Sequence, residues 1–183
     1  QNRQITTFAR RDGKLTGVAA RSLFQDARGR MWVSTPREFG YLESDRLVPV
    51  RGAPGGATDA IAEDIAGNLW IANRDAGLFQ LFRGNVVQQI PWAKLGRKQS
   101  AGALAADPVR GGLWIGFFEG GIAYFSDGQI RASYSPADGL GEGHVSGLRF
   151  DDDGTLWAAT EGGLSRLKDG RIATLRSSNG LPC

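Results

Sequence analysis

The chain has very few of the residues that metal sites and nucleophilic active sites need. It contains one cysteine, Cys183, and one histidine, His144, among 183 residues. A single cysteine excludes an intrachain disulfide, and a single histidine excludes a cluster of His and Cys metal ligands. A catalytic triad would have to use His144, around which no nucleophile motif occurs. The sequence therefore predicts no catalytic residue, no metal site and no cofactor.

Long hydrophobic runs and a strong charge imbalance are also absent. No apolar run approaches the 18 residues of a membrane helix, and no basic-then-apolar leader opens the sequence, so we expect membrane contact only through a longer parent protein. The net charge is only +3. Its densest cluster, Lys94, Arg97 and Lys98, has Trp92 as its one aromatic neighbour. A solvated surface is therefore favoured over a nucleic-acid site.

Glycine, in contrast, is abundant, and it recurs in a fixed relation to tryptophan. The 27 glycines are about twice the usual share for this length. A glycine turn precedes each of four tryptophans, which follow one another at intervals of 38, 44 and 43 residues: Trp32, Trp70, Trp114 and Trp157. A period near 40 with one turn and one large aromatic residue per unit is typical of propeller blades.

Residues 144–176 show most clearly how each repeat is built. Four short alternating runs are separated by turns at 151–154, 161–163 and 168–170, which is the signal for consecutive hairpins. Four strands joined in this way form one antiparallel blade. The predicted blades span 18–51, 57–90, 101–135 and 144–176, and residues 1–13 resemble the outer strand of a preceding blade. The predicted fold is thus all-β, a single β-propeller segment (1–183) of four four-stranded antiparallel blades plus one extra N-terminal strand.

The repeated residues have structural explanations. We expect the four tryptophans to be buried in equivalent positions between neighbouring sheets, where an indole buries a large apolar area. The aspartate that opens each D-x-x-G turn is predicted to cap that turn, while the glycine takes a positive φ. A calcium site would need several converging carboxylates, and only residues 151–153 come close. A solvated turn is favoured there.

The combined motifs resemble the two-component regulator propeller repeat. The pattern is a D-x-x-G turn, then L-W-[IVA]-[GA], then G-[GA]-[LI], and a fourth strand that ends in G-L-P. Residues 154–164 (GTLWAATEGGL) and 179–183 (NGLPC) match it well, whereas blade one departs from it at residues 35–40 (TPREFG). The resemblance implies a periplasmic or other extracytoplasmic sensor region of a bacterial histidine kinase, hybrid two-component or diguanylate cyclase protein. It carries no catalytic residue.

Strand alternation predicts which loops share a face. Loops after the second and fourth strands emerge on one side of the disc, and they are longer and more charged than the turns opposite. Binding sites usually lie in such loops on a rigid scaffold. The candidate ligand-binding residues on this face are Arg37, Arg74, Trp92, Arg97, Glu119, His144 and Glu161.

Three functions remain open at this stage. The leading interpretation is a non-catalytic module that binds a small molecule or glycan and belongs to a signalling receptor. The alternatives are a protein-interaction scaffold and a lyase or glycosidase propeller, the last with Glu119 and Glu161 as a carboxylate pair. An open arc of four blades exposes an apolar face at each end. We therefore expect closure, either by self-association, most simply two chains in an eight-bladed ring, or by further blades of the parent chain.

Overall fold

Sixteen strands in four separate sheets account for almost all regular structure of the described residues. The computed structural model describes residues 20–44, 46–53 and 55–176. Each sheet has four strands in chain order, and consecutive strands pair antiparallel. The all-β class and the four four-stranded blades are therefore confirmed. The extra strand expected in residues 1–13 lies outside the described residues.

Each blade is a simple meander. Blade one contains β1 (Ser22–Gln25), β2 (Met31–Ser34), β3 (Phe39–Glu43) and β4 (Arg46–Pro49). Blade two contains β5 (Thr58–Glu63), β6 (Leu69–Asn73), β7 (Gly77–Phe82) and β8 (Asn85–Ile90). Blade three contains β9 (Ala101–Ala106), β10 (Leu113–Phe117), β11 (Ile122–Ser126) and β12 (Gln129–Tyr134). Blade four contains β13 (Val145–Phe150), β14 (Leu156–Thr160), β15 (Gly163–Lys168) and β16 (Arg171–Leu175). Short 3-10 helices at Trp92–Leu95 and Pro136–Asp138 interrupt the connections that follow blades two and three.

The turn between the first two strands of each blade is held by its aspartate, as predicted. In blade one, Asp26 Oδ1 accepts hydrogen bonds from the backbone N–H groups of Arg28 (3.0 Å) and Arg30 (2.8 Å). Gly29 then takes a φ of +80°, a conformation that costs glycine little. Asp64, Asp107 and Asp151 accept equivalent backbone hydrogen bonds in the other blades.

The same aspartates also bind the repeated tryptophans, a link that the sequence pattern did not reveal. The indole Nε1–H donates to the second carboxylate oxygen of the aspartate at 2.9 Å in blade one and 2.8 Å in blade two. The distances are 3.2 Å in blade three and 2.7 Å in blade four. Each carboxylate therefore fixes both its turn and the orientation of the indole on the second strand.

Three of the four tryptophans are buried, and the fourth is a correction to the prediction. Trp32, Trp70 and Trp114 are 3%, 6% and 3% exposed. Trp157 is only half-buried, although it makes the same hydrogen bond to Asp151. The difference arises because the first three indoles are covered by the following blade, and among the described residues no sheet follows blade four.

The core consists of three layers, each between two neighbouring blades. Trp32 packs with Ile71 and Phe79 between blades one and two. Trp70 packs with residues of blade three that include Phe125, to which its ring is perpendicular at 5.7 Å. The third layer joins blades three and four around Trp114. Apolar side chains alternate between the two faces of each sheet, so every inner blade contributes to two layers.

The motif glycine at the start of the third strand is explained by a close approach between strands. A Cβ atom at Gly77 would overlap the carbonyl oxygen of Ile90 at the end of the neighbouring strand, and φ there is +112°. Gly163 has the same surroundings in blade four, with the carbonyl oxygen of Leu175 and a φ of +132°. Blade one keeps the close approach at Gly40, against Val48, with an ordinary φ.

Three turn aspartates, Asp26, Asp107 and Asp151, are expected to make stability depend on pH in the acid range. Hydrogen bonds from Trp157 and the backbone of Thr155 lower the pKa of Asp151 below its ordinary value of 3.8. Burial opposes ionisation of Asp26 and Asp107, but the hydrogen bonds that each accepts outweigh it and lower both pKa values. A carboxyl group with a lowered pKa in the folded state stabilises the fold above its ordinary pKa and loses that contribution on protonation.

We therefore expect the free energy of unfolding to fall as the pH drops below about 4. Urea unfolding followed by tryptophan fluorescence at a series of pH values measures this slope. The variant Asp107→Asn, which has no carboxyl group to titrate there, should show a shallower slope. An unchanged slope in that variant would mean that other groups cause the acid sensitivity.

Candidate ligand-binding face

The loops that follow the second and fourth strands of the blades form the upper face of the propeller. They comprise residues 35–38, 51–53, 55–57, 74–76, 91–100, 118–121, 135–144 and 161–162. The lower face is formed by the turns after the first and third strands. Contacts between upper-face loops of different blades bring several predicted site residues together.

A row of side chains crosses the upper face from blade two to blade four. Arg74 makes a bidentate ion pair with Asp59, with distances of 2.7 and 3.1 Å, and Asp59 raises the pKa of its guanidinium group. The guanidinium carbon lies 5.5 Å from the centre of the Phe118 ring. Phe118 stacks on the His144 imidazole at 4.4 Å and 13°. The backbone N–H of His144 in turn donates to Glu161 at 3.4 Å.

A second contact lies beside this row. Arg97 Nη1 is 3.7 Å from Glu119 Oε1, and the guanidinium group covers the ring of Phe117 at 4.1 Å. Phe117 is fully buried at the end of β10, so Arg97 closes the upper end of the core between blades two and three. Both partners of the ion pair remain partly accessible to solvent.

Two of the predicted site residues have other surroundings. Trp92 is 6% exposed, and its Nε1–H donates to the carbonyl oxygen of Asn73 at 2.9 Å, so it packs beneath the face and does not project from it. Arg37 is exposed in the loop that touches Gly55. Asn73 also donates to the Gly55 carbonyl oxygen at 3.2 Å, which ties the loops of blades one and two together. Trp92 thus supports the loops, and Arg37 lies at the edge of the face.

The upper face contains two grooves of the size that small ligands occupy. The first, with a volume of about 460 Å³, is lined by Arg74, Lys98, Gln99, Ser100 and Phe118. The second, of about 400 Å³, lies between the Arg97–Glu119 pair and the loop of residues 133–138. We refer to the first as the Phe118 groove, because a half-buried aromatic ring forms one of its walls.

The surroundings of His144 do not provide the geometry of a nucleophilic site. Its Nε2 atom is buried and makes no hydrogen bond to any of the described residues. That atom lies so close to Gly102 that a Cβ there would overlap it. Glu119 and Glu161, the conceivable carboxylate pair, take part in separate contacts with Arg97 and with the backbone of His144.

Sequence reasoning selected Glu119 in its loop and missed Phe118 beside it. The signal was available, because an aromatic residue that directly follows the buried second strand begins the upper-face loop. Lys98 was noticed only as part of a charge cluster, although it lines the same groove. It makes no ion pair with any of the described residues.

One segment of the chain matches a known protein family in sequence. Residues 14–37 match the model of the two component regulator propeller family. This segment is therefore similar to a two-component regulator propeller repeat. The described part of this segment, residues 20–37, lies in blade one and ends in the turn between β2 and β3. In sequence, no curated protein matches the chain.

Solved structures with the same fold include extracellular domains of one component and hybrid two component systems of B. thetaiotaomicron. One, from a one component system of B. thetaiotaomicron, is 18% identical with a TM-score of 0.69 over 93% of this chain and 27% of that chain. Another, from a hybrid two component system of the same organism, is 16% identical with a TM-score of 0.54 over 92% of this chain and 30% of that chain. The chain therefore spans less than a third of each.

An enzyme shares the fold as well. Virginiamycin B lyase from Staphylococcus aureus is 16% identical with a TM-score of 0.65, over 86% of this chain and 55% of that chain. At these identities the likeness establishes the propeller fold alone. Within the described ranges, no helix has the length and apolar composition needed to cross a membrane.

Proposed function

We propose that this chain is a ligand-binding segment of the extracytoplasmic, periplasmic propeller of a bacterial signal-transduction receptor, and that it is not itself an enzyme. The propeller repeat at residues 14–37 and the sensor domains that share the fold support this proposal. A kinase or cyclase output would belong to another part of such a receptor. The role of the segment is to bind an external cue on its upper face.

The observation that carries the proposal is the composition of the Phe118 groove. The Phe118 ring lies between Arg74 and His144, so it offers the groove its half-buried edge as apolar surface. Lys98 supplies a cation, and Gln99 and Ser100 supply polar groups, at positions that line the same space. An apolar aromatic edge beside several hydrogen-bonding groups is suited to a saccharide or a similar polar cyclic molecule.

Two side chains of the groove are held in place by contacts within the protein. Arg74 is held by two hydrogen bonds to Asp59, and Phe118 is held by its stack on His144. A ligand would therefore meet a preformed surface and would not have to order these side chains, a cost that otherwise reduces affinity.

We expect the variant Phe118→Ala to weaken saccharide binding by about tenfold or more, which corresponds to the loss of one aromatic contact. The measurement is a screen of neutral and carboxylated oligosaccharides on the full chain, followed by titration calorimetry of the best binder. Val109→Ala is the matched control, since Val109 is 80% exposed on the lower face.

The control should bind like the unchanged chain. If no saccharide in the screen binds the unchanged chain, or if the two variants lose affinity equally, the Phe118 groove is not a saccharide site. A Lys98→Ala variant distinguishes the ligand classes, because its effect should be larger for carboxylated than for neutral saccharides.

A further inference from the structure

The face of blade four that points away from blade three retains the pattern of an inter-blade surface. Trp157 pairs with Arg166 on the adjacent strand, and Arg166 pairs with Ala173 on the strand after that. In blade two, Trp70 pairs with Gln80 in the same way. This alignment makes four apolar residues of blade four equivalent to four residues of blade two that blade three covers. The pairs are Trp157 with Trp70, Ala159 with Ala72, Leu164 with Leu78, and Leu175 with Ile90.

These equivalent residues differ greatly in exposure. Leu78 and Ile90 are 0% and 6% exposed, whereas Leu175 is 45% exposed and Leu164 is half-buried. The uncovered surface includes a concavity of about 900 Å³ around Trp157. The concavity itself is lined mainly by charged and polar residues. The four apolar residues beside it have the composition of a core layer, and no sheet of the described residues covers them.

Two arginines distinguish this surface from the three covered layers. The residues that flank the tryptophan on the adjacent strands are Phe24 and Tyr41 in blade one, Ala62 and Gln80 in blade two, and Ala105 and Tyr124 in blade three. In blade four they are Arg149 and Arg166, both exposed. Burying two guanidinium groups against an uncharged sheet would cost their hydration without a compensating partner.

Among the described residues, the outward face of blade one offers these arginines no counter-charge. The outward residues of blade one include Leu23, which is 65% exposed, Met31 and Leu42. Between blades two and three, Ala62 and Leu104 lie in the same core layer. By strand register, Arg149 of blade four corresponds to Ala62, and Leu23 of blade one corresponds to Leu104. A second copy docked head to tail would therefore place Arg149 against Leu23 and neighbouring apolar side chains.

We propose that the open face of blade four binds a further blade of the same propeller that carries acidic side chains opposite Arg149 and Arg166. The apolar centre supplies the contact area, and the two arginines make the docking selective, because only a sheet with carboxylates satisfies them. The same arginines disfavour docking on the described apolar residues of blade one of a second copy. Of the two routes to closure expected from the sequence, this favours further blades over self-association.

The test makes the end of blade one resemble the proposed partner. In the variant Leu23→Glu/Met31→Glu, the acidic end of one copy can dock on blade four of the next, so the weight-average mass in sedimentation velocity should rise above that of the unchanged chain. Added carboxylates ordinarily reduce self-association, so a rise indicates specific pairing. Raising the salt from about 50 to about 500 mM should weaken the complex by about tenfold.

Two further variants separate charge pairing from other causes. Adding Arg149→Glu/Arg166→Glu to the acidic variant should return it to a monomer, since acids then face acids. Arg149→Ala/Arg166→Gln alone, which copies blade two, should associate even without acids. The proposal is overturned if the unchanged chain associates as strongly as these variants, or if the acidic variant stays monomeric. Leu23→Glu alone, at a mostly exposed position, is the substitute if the double variant does not fold.

Discussion

Replacing Trp114 with alanine is expected to lower the free energy of unfolding by about 3–5 kcal/mol, the usual range for removing a large buried side chain. Trp114 is 3% exposed and packs on Tyr124 and Tyr134 at ring distances of 5.3 and 6.1 Å. The substitution also removes the hydrogen bond that the indole N–H donates to Asp107. Guanidinium unfolding of the two chains, followed by circular dichroism, measures the difference.

Trp157→Ala is the matched control for this prediction. It removes the same hydrogen bond and the same side chain from an equivalent position, but Trp157 is covered by one sheet only. We therefore expect it to cost about half as much as Trp114→Ala. Equal losses would show that the hydrogen bond to aspartate, and not burial between blades, accounts for the role of the tryptophan.

The second large effect is expected at the motif glycine of the third strand. Gly77→Ala should destabilise the fold by about 3 kcal/mol or more, because the new methyl group would overlap the carbonyl oxygen of Ile90 and the backbone φ is +112°. Relief would require β7 and β8 to separate at their ends. Chemical unfolding again provides the measurement.

Gly84→Ala separates the two causes. Gly84 also has a positive φ, +80°, but no atom lies within 4 Å of the position that a Cβ would take. Its substitution should therefore cost only the backbone strain, about 1 kcal/mol. If Gly77→Ala costs no more than Gly84→Ala, the close approach of the strands is not the reason for the motif.

The fold was predictable because its signals are repeated and local. The interval between tryptophans and the D-x-x-G turns identified the blades, and the capping role of Asp26 and its equivalents follows from short-range chemistry. The hydrogen bond from each indole to that aspartate was not predictable. It depends on the position that the second strand gives Trp32 relative to the carboxylate in the preceding turn.

The candidate site was less predictable, because it depends on contacts between blades. Strand alternation predicted which loops share a face. The stack of Phe118 on His144, however, joins residues 26 positions apart whose side chains no periodicity relates. Trp92 illustrates the converse. Its position in a long loop suggested exposure, whereas its indole points inward to a backbone carbonyl group. The sequence alone does not distinguish an outward from an inward indole at this position.

The hydrogen bond between aspartate and tryptophan has a consequence for how repeat propellers evolve. Both partners lie in one hairpin, six positions apart in blades one, two and four, so the element that shapes a blade is encoded within that blade. In blade three the interval is seven, and the bond persists despite the inserted residue. A duplicated or deleted gene segment of one repeat therefore carries its own geometry with it, and only the side chains on the two flat surfaces must then adapt to new neighbours.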